Sequence, residues 1–229
     1  MNILAIETSG KAASVALLSS GNILADFTIN NNLTHSQILL NLIDNIFTAT
    51  GFNKNLLDYI ACSNGPGSFT GLRIGAAVAK GLAFGLGIKI IPVKTLDVLA
   101  YNIFTQGNNM AVVPIMDARR NQVYTAIYSD NIRQTDYLAC DISEIIDETK
   151  KMNKPAIFLG DAVAIHKEKI LLENNFSAAP LGFNLQKAAA VASVASSLAQ
   201  YSISPKEFSL FYIRVPQAER EAAEREINN

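Results

Sequence analysis

Ser63-Asn64-Gly65-Pro66-Gly67-Ser68-Phe69-Thr70-Gly71-Leu72-Arg73-Ile74-Gly75 is the stretch on which the fold of this 229-residue chain turns. Before it, Leu57-Asp58-Tyr59-Ile60-Ala61-Cys62 reads as a short buried strand. After it, Gly71 to Gly87 is nearly free of charge and rich in Ala, Gly and Leu. Strand, glycine-rich turn and helix are therefore expected in succession. Pro66 fixes its own φ, and Gly65 and Gly67 tolerate φ > 0, so a tight turn forms without steric penalty. Ser68 or Thr70 can cap the helix by accepting from one of its first free N–H groups. In the helix, Gly71, Gly75 and Ala79 recur every fourth residue, Leu82 and Leu86 continue that side, and Arg73 and Lys80 mark the polar stripe. Small residues at that spacing let another backbone come close, within the domain or from a partner. Glycine-rich turns also cradle phosphates, but the P-loop needs Gly-Lys-Ser/Thr. Here Leu72 and Arg73 follow Gly71, and Pro66 removes a donor, so a structural turn is the better reading.

Composition narrows the classes. Hydrophobic residues make up 49% of the chain and charged ones 17%, so a large core over one or two domains is expected. The net charge of −1 argues against a strongly basic nucleic-acid-binding surface, although a local patch survives such an average. Cys62 and Cys140 lie far apart in apolar contexts and read as reduced, buried thiols. The amino terminus enters Asn2-Ile3-Leu4-Ala5-Ile6 without a basic region, and Arg73 and Lys80 interrupt the longest apolar run. A cytoplasmic protein with no membrane span is expected.

Outward from the central stretch, Asn2–Ile6, Ala13–Leu18 and Ile23–Ile29 read as an antiparallel meander. Asn30-Asn31-Asn32 is a loop. Thr34 and Gln37 have capping-box spacing and open a helix whose apolar stripe is Ile38, Leu39, Leu42, Ile43, Ile46 and Phe47, ended by Gly51. Ile88–Val93 is a strand, and Thr95 caps a helix to Phe104. Gln106-Gly107-Asn108-Asn109 marks the boundary between domains 1–105 and 106–229. The second half restarts with strands at 110–116, 122–128 and 135–139, a helix at 142–151, a strand at 156–159 and helices at 163–173 and 185–201. Phe211–Pro216 is extended, and 218–227 is a charged helix or a frayed tail.

Glu7 and Asp117 lie 110 residues apart, and at that offset Val15-Ala16-Leu17 meets Thr125-Ala126-Ile127 without a gap. Both halves read strand, acidic turn, strand, strand, helix, strand, helix. Two βββαβα-type halves with mixed sheets resemble the actin/hexokinase/Hsp70-like (ASKHA) α/β fold. In nucleotide-using members of that class the acidic turns hold magnesium and phosphates, which makes Glu7, Thr8, Ser9 and Asp117 the candidates here. Ala12 and Ala13 stand where a phosphate would prefer glycines and hydroxyls, so a vestigial cleft is favoured over a working one, and Arg119-Arg120 could instead serve a partner. His35 has Leu39 four residues on, so no paired-histidine metal site forms on that helix. His166, among Lys167, Glu168 and Lys169, reads as solvent-exposed. No Ser/His/Asp or Cys/His arrangement is legible, and no catalytic or metal residue is assigned.

The segments Ile6-Glu7-Thr8-Ser9, Thr34–Leu40, Asn64–Arg73, Asp117–Tyr124 and Tyr212–Pro216 with Ala218-Glu219 resemble those of the TsaB (YeaZ) family. Gly65, Pro66, Gly67, Ser68, Thr70 and Arg73 are the signature positions. Gly160-Asp161-Ala162 stands where the family has Gly-Asp-Gly. The resemblance implies a non-catalytic subunit of the machinery that places threonylcarbamoyl on adenosine 37 of tRNAs reading codons that begin with A. It also implies pairing with a catalytic paralogue of the same fold, recruitment of a small ATPase, indirect contact with tRNA, and a homodimer as the form open to the isolated chain. No cofactor is intrinsic, and ATP enters at the level of the complex. The family's pairing surface is made by the first two helices of the amino-terminal domain. It maps here onto His35, Leu39, Leu42, Ile43, Ile46, Phe47, Gly71, Gly75, Ala79 and Leu82, so Leu42→Glu or Ala79→Glu is expected to break pairing and spare the fold. A small-molecule kinase and a metallopeptidase of the same fold are the alternatives.

Overall fold

The computed structural model describes residues 1–31, 33–104 and 109–214. Strands β1 (Asn2–Glu7), β2 (Ala13–Ser19) and β3 (Asn22–Ile29) form the first meander. Then come α1 (His35–Thr50), β4 (Tyr59–Gly65), α2 (Phe69–Leu86), β5 (Lys89–Lys94) and α3 (Thr95–Tyr101). The second half runs β6 (Ala111–Asp117), β7 (Gln122–Thr125), the short β8 (Tyr128–Ser129) and β9 (Ile132–Arg133), then β10 (Leu138–Asp141) and α4 (Ile142–Lys150). It closes with β11 (Ala156–Leu159), α5 (Val163–Leu171), β12 (Phe176–Ala178) and α6 (Ala188–Ser196).

One sheet has the order β3-β2-β1-β4-β5 and the other β10-β7-β6-β11-β12, with β8 and β9 attached beside β6. Each is an antiparallel meander extended by two parallel strands, the second crossing over a helix. The 110-residue offset is thus a duplication of topology as well as of sequence order. Glu7 and Asp117 end the two equivalent central strands, each at the mouth of a hairpin.

Apolar surface then stacks the elements in layers. On one face of the first sheet, Leu4, Ile6, Val15 and Leu17 meet Ile38, Leu42 and Ile46 of α1 and Ala79 and Ala83 of α2. On its other face Ile3, Ala5 and Ile91 meet Val98 of α3 and Val191 and Ala195 of α6. Leu96 and Leu99 of α3 turn the opposite way, onto Val112, Met116 and Leu159 of the second sheet. Ile145 of α4 and Ile170 of α5 cover that sheet's far face. Helix α3 is therefore wedged between both sheets, and α6, late in the chain, belongs to the first.

The local signals account for the helix ends. Gln37 Oε1 accepts from the Thr34 N–H at 2.9 Å, the return half of a capping box. Ser68 Oγ accepts from the Gly71 N–H at 3.2 Å. Gly51 and Gly87 end α1 and α2 in the left-handed region, at φ 64° and 68°.

The small-residue stripe of α2 serves an intramolecular contact. Thr8 Oγ1 donates to the Gly71 carbonyl at 2.8 Å. A Cβ at Gly71 would strike the Thr8 carbonyl oxygen, and one at Gly75 would strike Thr8 Oγ1. Gly75→Ala should therefore destabilise the chain by about 1–3 kcal/mol, overriding the roughly 1 kcal/mol that alanine gains in helix propensity. A urea midpoint at or above that of the parent chain would contradict this packing.

Several expectations need correction. Leu39, Leu42, Ile43 and Ile46 are 1%, 4%, 3% and 0% exposed and Ala79 is 0%, so these residues pack into the core of the chain instead of lying on its surface. Gly71 and Gly75 are buried as well, Phe47 and Leu82 are half-buried against the same cluster, and His35 is half-buried at the start of α1. By length and composition α2 could cross a membrane, yet its Gly71–Ala83 face lies on the first sheet. The segment 122–128 breaks at Ala126-Ile127, where the Ile127 N–H turns to Thr135 Oγ1 at 3.0 Å. The strand expected at 135–139 forms at Leu138–Asp141. The helix expected over 185–201 is only Ala188–Ser196, because Ser196 and Ser197 bond back to the Ser193 and Val194 carbonyls at 2.7 and 2.8 Å. The domain boundary at 105/106, Asn32 of the triple-Asn loop, and Val215, Pro216, Ala218, Glu219 and the rest of the tail lie outside the described residues.

Candidate functional site

The end of β1 builds an internal acid. Glu7 is 0% exposed and carries its carboxylate away from solvent. Its Oε1 accepts from the Ser9 N–H at 2.6 Å and from Ser9 Oγ at 2.5 Å, and its Oε2 accepts from Ser63 Oγ at the end of β4. Burial pushes this carboxyl above its ordinary value of 4.5, against the pull of the Ser63 and Ser9 hydrogen bonds. A carboxyl whose folded-state value is raised binds its proton more tightly folded than unfolded. That stabilisation is present at and below the ordinary range and is lost as pH rises through the folded value. Glu7→Gln should remove the loss, so the stability difference between variant and parent should move in favour of Gln as pH climbs above 4.5. Parallel urea curves from pH 4.5 to 8 test this, and a constant difference would contradict it.

The signature turn is stitched to its neighbours. The Ser68 N–H donates to the Ser9 carbonyl at 2.7 Å, and a Cβ at Gly67 would meet that same oxygen. The Phe211 N–H donates to the Asn64 carbonyl at 2.7 Å, and Asn64 Nδ2 donates to the Ser209 carbonyl at 3.2 Å. At Gly65, with φ 123°, a Cβ would hit the Phe211 carbonyl. The turn thus clasps a late strap of chain. Amides of Ser68 and Gly71 that a phosphate would need are engaged within the protein. Thr70 and Arg73 are exposed on α2, with the Arg73 guanidinium 3.7 Å above the Phe69 ring.

The strap continues across the junction between the sheets. Phe211 lies under the Lys94 ammonium at 3.9 Å and meets the Tyr137 ring edge-on at 5.6 Å. Tyr212 sits 5.6 Å from Phe69, and Arg214 donates to Gln122 Oε1. Behind it, Asp97 of α3 accepts from Tyr128 OH at 2.5 Å and from Tyr137 OH at 2.9 Å. Burial and the Asp97 charge push both phenols up, so both stay protonated donors. Sequence reading missed this joint; its signal was an aspartate in the first turn of an otherwise apolar helix.

Between the two hairpin mouths lies a cleft of about 780 Å³. Ser9, Lys11, His35 and Ser68 line it from one side, and Asp117, Arg119, Arg120, Asp161 and Arg214 from the other. Glu7 is absent from its walls. Thr8 is 1% exposed and tied to α2. Asp117 is 3.6 Å from Arg119 Nη1 and accepts from the Arg119 N–H at 2.8 Å. Asp161 Oδ1 accepts from the Asp117 N–H at 3.0 Å, and burial pushes its carboxyl up. His35 Nε2 is 3.0 Å from the Gly10 carbonyl, while its Nδ1 is buried without a partner. Among the described residues no group of three potential metal ligands gathers. His166 is 6% exposed rather than solvent-facing, and burial depresses its basicity. Of the four expected cleft residues, then, Ser9 and Asp117 face the cavity and Glu7 and Thr8 turn inward.

A family model described as TsaD, tRNA N6-adenosine threonylcarbamoyltransferase, matches residues 22–219. The tRNA threonylcarbamoyladenosine biosynthesis protein TsaB of Haemophilus influenzae (strain ATCC 51907 / DSM 11121 / KW20 / Rd) is 42% identical over 54% of this chain and 52% of its own length. The protein of that name from Bacillus subtilis (strain 168) is 32% identical over 74% of this chain and 75% of its own. The chain thus spans about half the length of the first relative and three quarters of the second. Among solved structures, a Pseudomonas aeruginosa protein described as similar to peptidase YeaZ superposes with TM-score 0.78 at 24% identity, over 93% of this chain and 99% of that one. A polyphosphate/ATP-glucomannokinase of Arthrobacter sp. strain KM superposes with TM-score 0.50 at 10% identity, over 87% and 99%. These two likenesses bear on fold, and they agree with the duplicated sheets in giving the actin/hexokinase/Hsp70-like class. The chain belongs to the TsaB (YeaZ) family, within the wider group that the threonylcarbamoyltransferase model describes.

Proposed function

We propose that this chain is a non-catalytic, cytoplasmic subunit in the formation of threonylcarbamoyladenosine at position 37 of tRNA. It pairs with the catalytic paralogue and helps to bring in the ATPase. The observation that carries the non-catalytic reading is Glu7. Two hydroxyls and an amide hold it inside the protein, so the acidic position of the first hairpin is spent on structure instead of on a metal–phosphate group.

The docking part rests on the outward face of α2. Ala77, Gly81 and Gly85 are exposed at four-residue spacing, and a Cβ at Gly81 or Gly85 would meet nothing within 4 Å. Each of those glycines costs the helix about 1 kcal/mol, with no contact among the described residues to explain it. Phe84 beside them is 73% exposed, and Leu40 on α1 is 56% exposed. Apolar and flat surface of this kind marks an interface. On this reading the interface lies on the outward faces of α1 and α2, opposite Leu39, Leu42, Ile43, Ile46 and Ala79.

A working kinase of the same fold is the competing reading, favoured by the size of the cleft. ATP turnover by the purified chain, with and without magnesium, separates the two. The subunit reading predicts no turnover above buffer in either condition, and magnesium-dependent turnover abolished by Asp117→Ala would overturn it.

A further inference from the structure

The mouth of the cleft is a positive island on a slightly acidic protein. Of 19 basic and 20 acidic side chains in the chain, Lys11, Arg119, Arg120 and Arg214 line the cleft against Asp117 and Asp161, so the remainder carries three more acids than bases. These cations come from three separate segments: the β1–β2 hairpin, the β6–β7 hairpin and the strap. The two carboxylates are already committed, Asp117 to Arg119 and Asp161 to the Asp117 amide. The Lys11 charge acts on Asp161, and Arg120 makes no ion pair within 4 Å among the described residues. The Arg119 side chain is 88% exposed.

The hairpin tip is an expensive place for arginine. Arg119, Arg120 and Asn121 have φ of 66°, 55° and 60°, and hairpins that need consecutive positive φ favour Asn and Gly. A left-handed arginine is tolerated here although no ion pair among the described residues holds its guanidinium at position 120. Strain of this kind at an exposed charged pair is a pointer to use.

We infer that Arg119 and Arg120, with Lys11 and Arg214 beside them, form a rim that holds the phosphate backbone of tRNA. This rests on the reading above, that the chain is a subunit of a complex that modifies tRNA, and it makes direct the tRNA contact that the resemblance implied to be indirect. The layout favours a polyanion at the rim over a small anion within. A phosphate pushed into the cavity would face Asp117 and Asp161, with Glu7 turned away from any bridging metal, whereas a backbone phosphate outside meets the guanidiniums first.

The test is fluorescence anisotropy of labelled unmodified tRNA against the complex with the catalytic paralogue, over a salt series. Arg119→Gln/Arg120→Gln should lower the slope of log affinity against log salt by about two and weaken binding roughly tenfold or more at 0.1 M salt. Lys54→Gln/Lys206→Gln, exposed cations away from the cleft, should leave both within twofold. Circular dichroism checks folding, and Arg120→Gln alone should give half the change in slope. An unaltered slope, an equal effect from the control pair, or arginine-dependent binding of ATP or inorganic phosphate with tRNA binding untouched would each overturn the rim. Association with the paralogue is read separately by gel filtration. If the parent chain forms no complex the subunit reading fails, and the same salt series on the chain alone still decides the rim.

Discussion

Phe84→Glu is expected to abolish association with the catalytic paralogue while leaving the isolated chain as stable as its parent. The ring is 73% exposed, so within the monomer it contributes little, and substitution there should stay within about 0.5 kcal/mol. Against a partner the balance reverses. Ala77, Gly81 and Gly85 let a facing element approach the α2 backbone, and Phe84 is the large anchor beside that flat strip. Losing a central aromatic costs about 2 kcal/mol or more, and a desolvated, unpaired carboxylate adds several more, together at least a hundredfold in affinity. Titration calorimetry against the paralogue, with thermal melts of the free chain, reads both halves. Wild-type affinity in the variant would place the interface elsewhere.

Ala79→Glu, on the opposite face of the same helix, should instead prevent folding. Ala79 is 0% exposed and lies against Leu4 and Ile6 of the first sheet's core. Glutamate adds heavy atoms where no space exists, at about 1–3 kcal/mol, and a buried charge costs several more. The sum rivals the 5–15 kcal/mol of a typical domain. Leu42→Glu, at 4% exposure, should behave alike. The expected outcome is insoluble protein, or soluble protein without a cooperative melt. A folded Ala79→Glu monomer melting like its parent would show that α2 is not seated as described.

The contrast between these two positions shows where sequence was legible. Gly71, Gly75 and Ala79 announced a close approach to α2, and the approach is real, but spacing alone could not tell that the neighbour is Thr8 of the same chain. The exposed partner of that stripe, Ala77, Gly81 and Gly85, has the same period and was masked by it. The meanders, the capping of α1 and α2, and the duplication at the offset of Glu7 and Asp117 were readable because each depends on local chemistry or on order along the chain. What depends on distant segments was hidden. Glu7 looks like a metal ligand until Ser63, 56 residues on, is seen to hold it. The clasp of Asn64 on Phe211 and the Asp97 joint with Tyr128 and Tyr137 are likewise set by tertiary folding. Strand β12 escaped because Phe176-Ser177-Ala178 is too short to show a period, and it is fixed by pairing with β11.

Whether this chain serves a tRNA-modifying assembly without doing its chemistry is decided by reconstitution. The chain, its catalytic paralogue and the small ATPase from the same source are combined with threonylcarbamoyl-AMP, ATP and unmodified tRNA. Formation of threonylcarbamoyladenosine is followed with each component left out in turn. Modification should need this chain together with the paralogue, with none from this chain alone. Modification by this chain without the paralogue would mean that the cleft at Asp117 is catalytic and that the chain is no mere subunit.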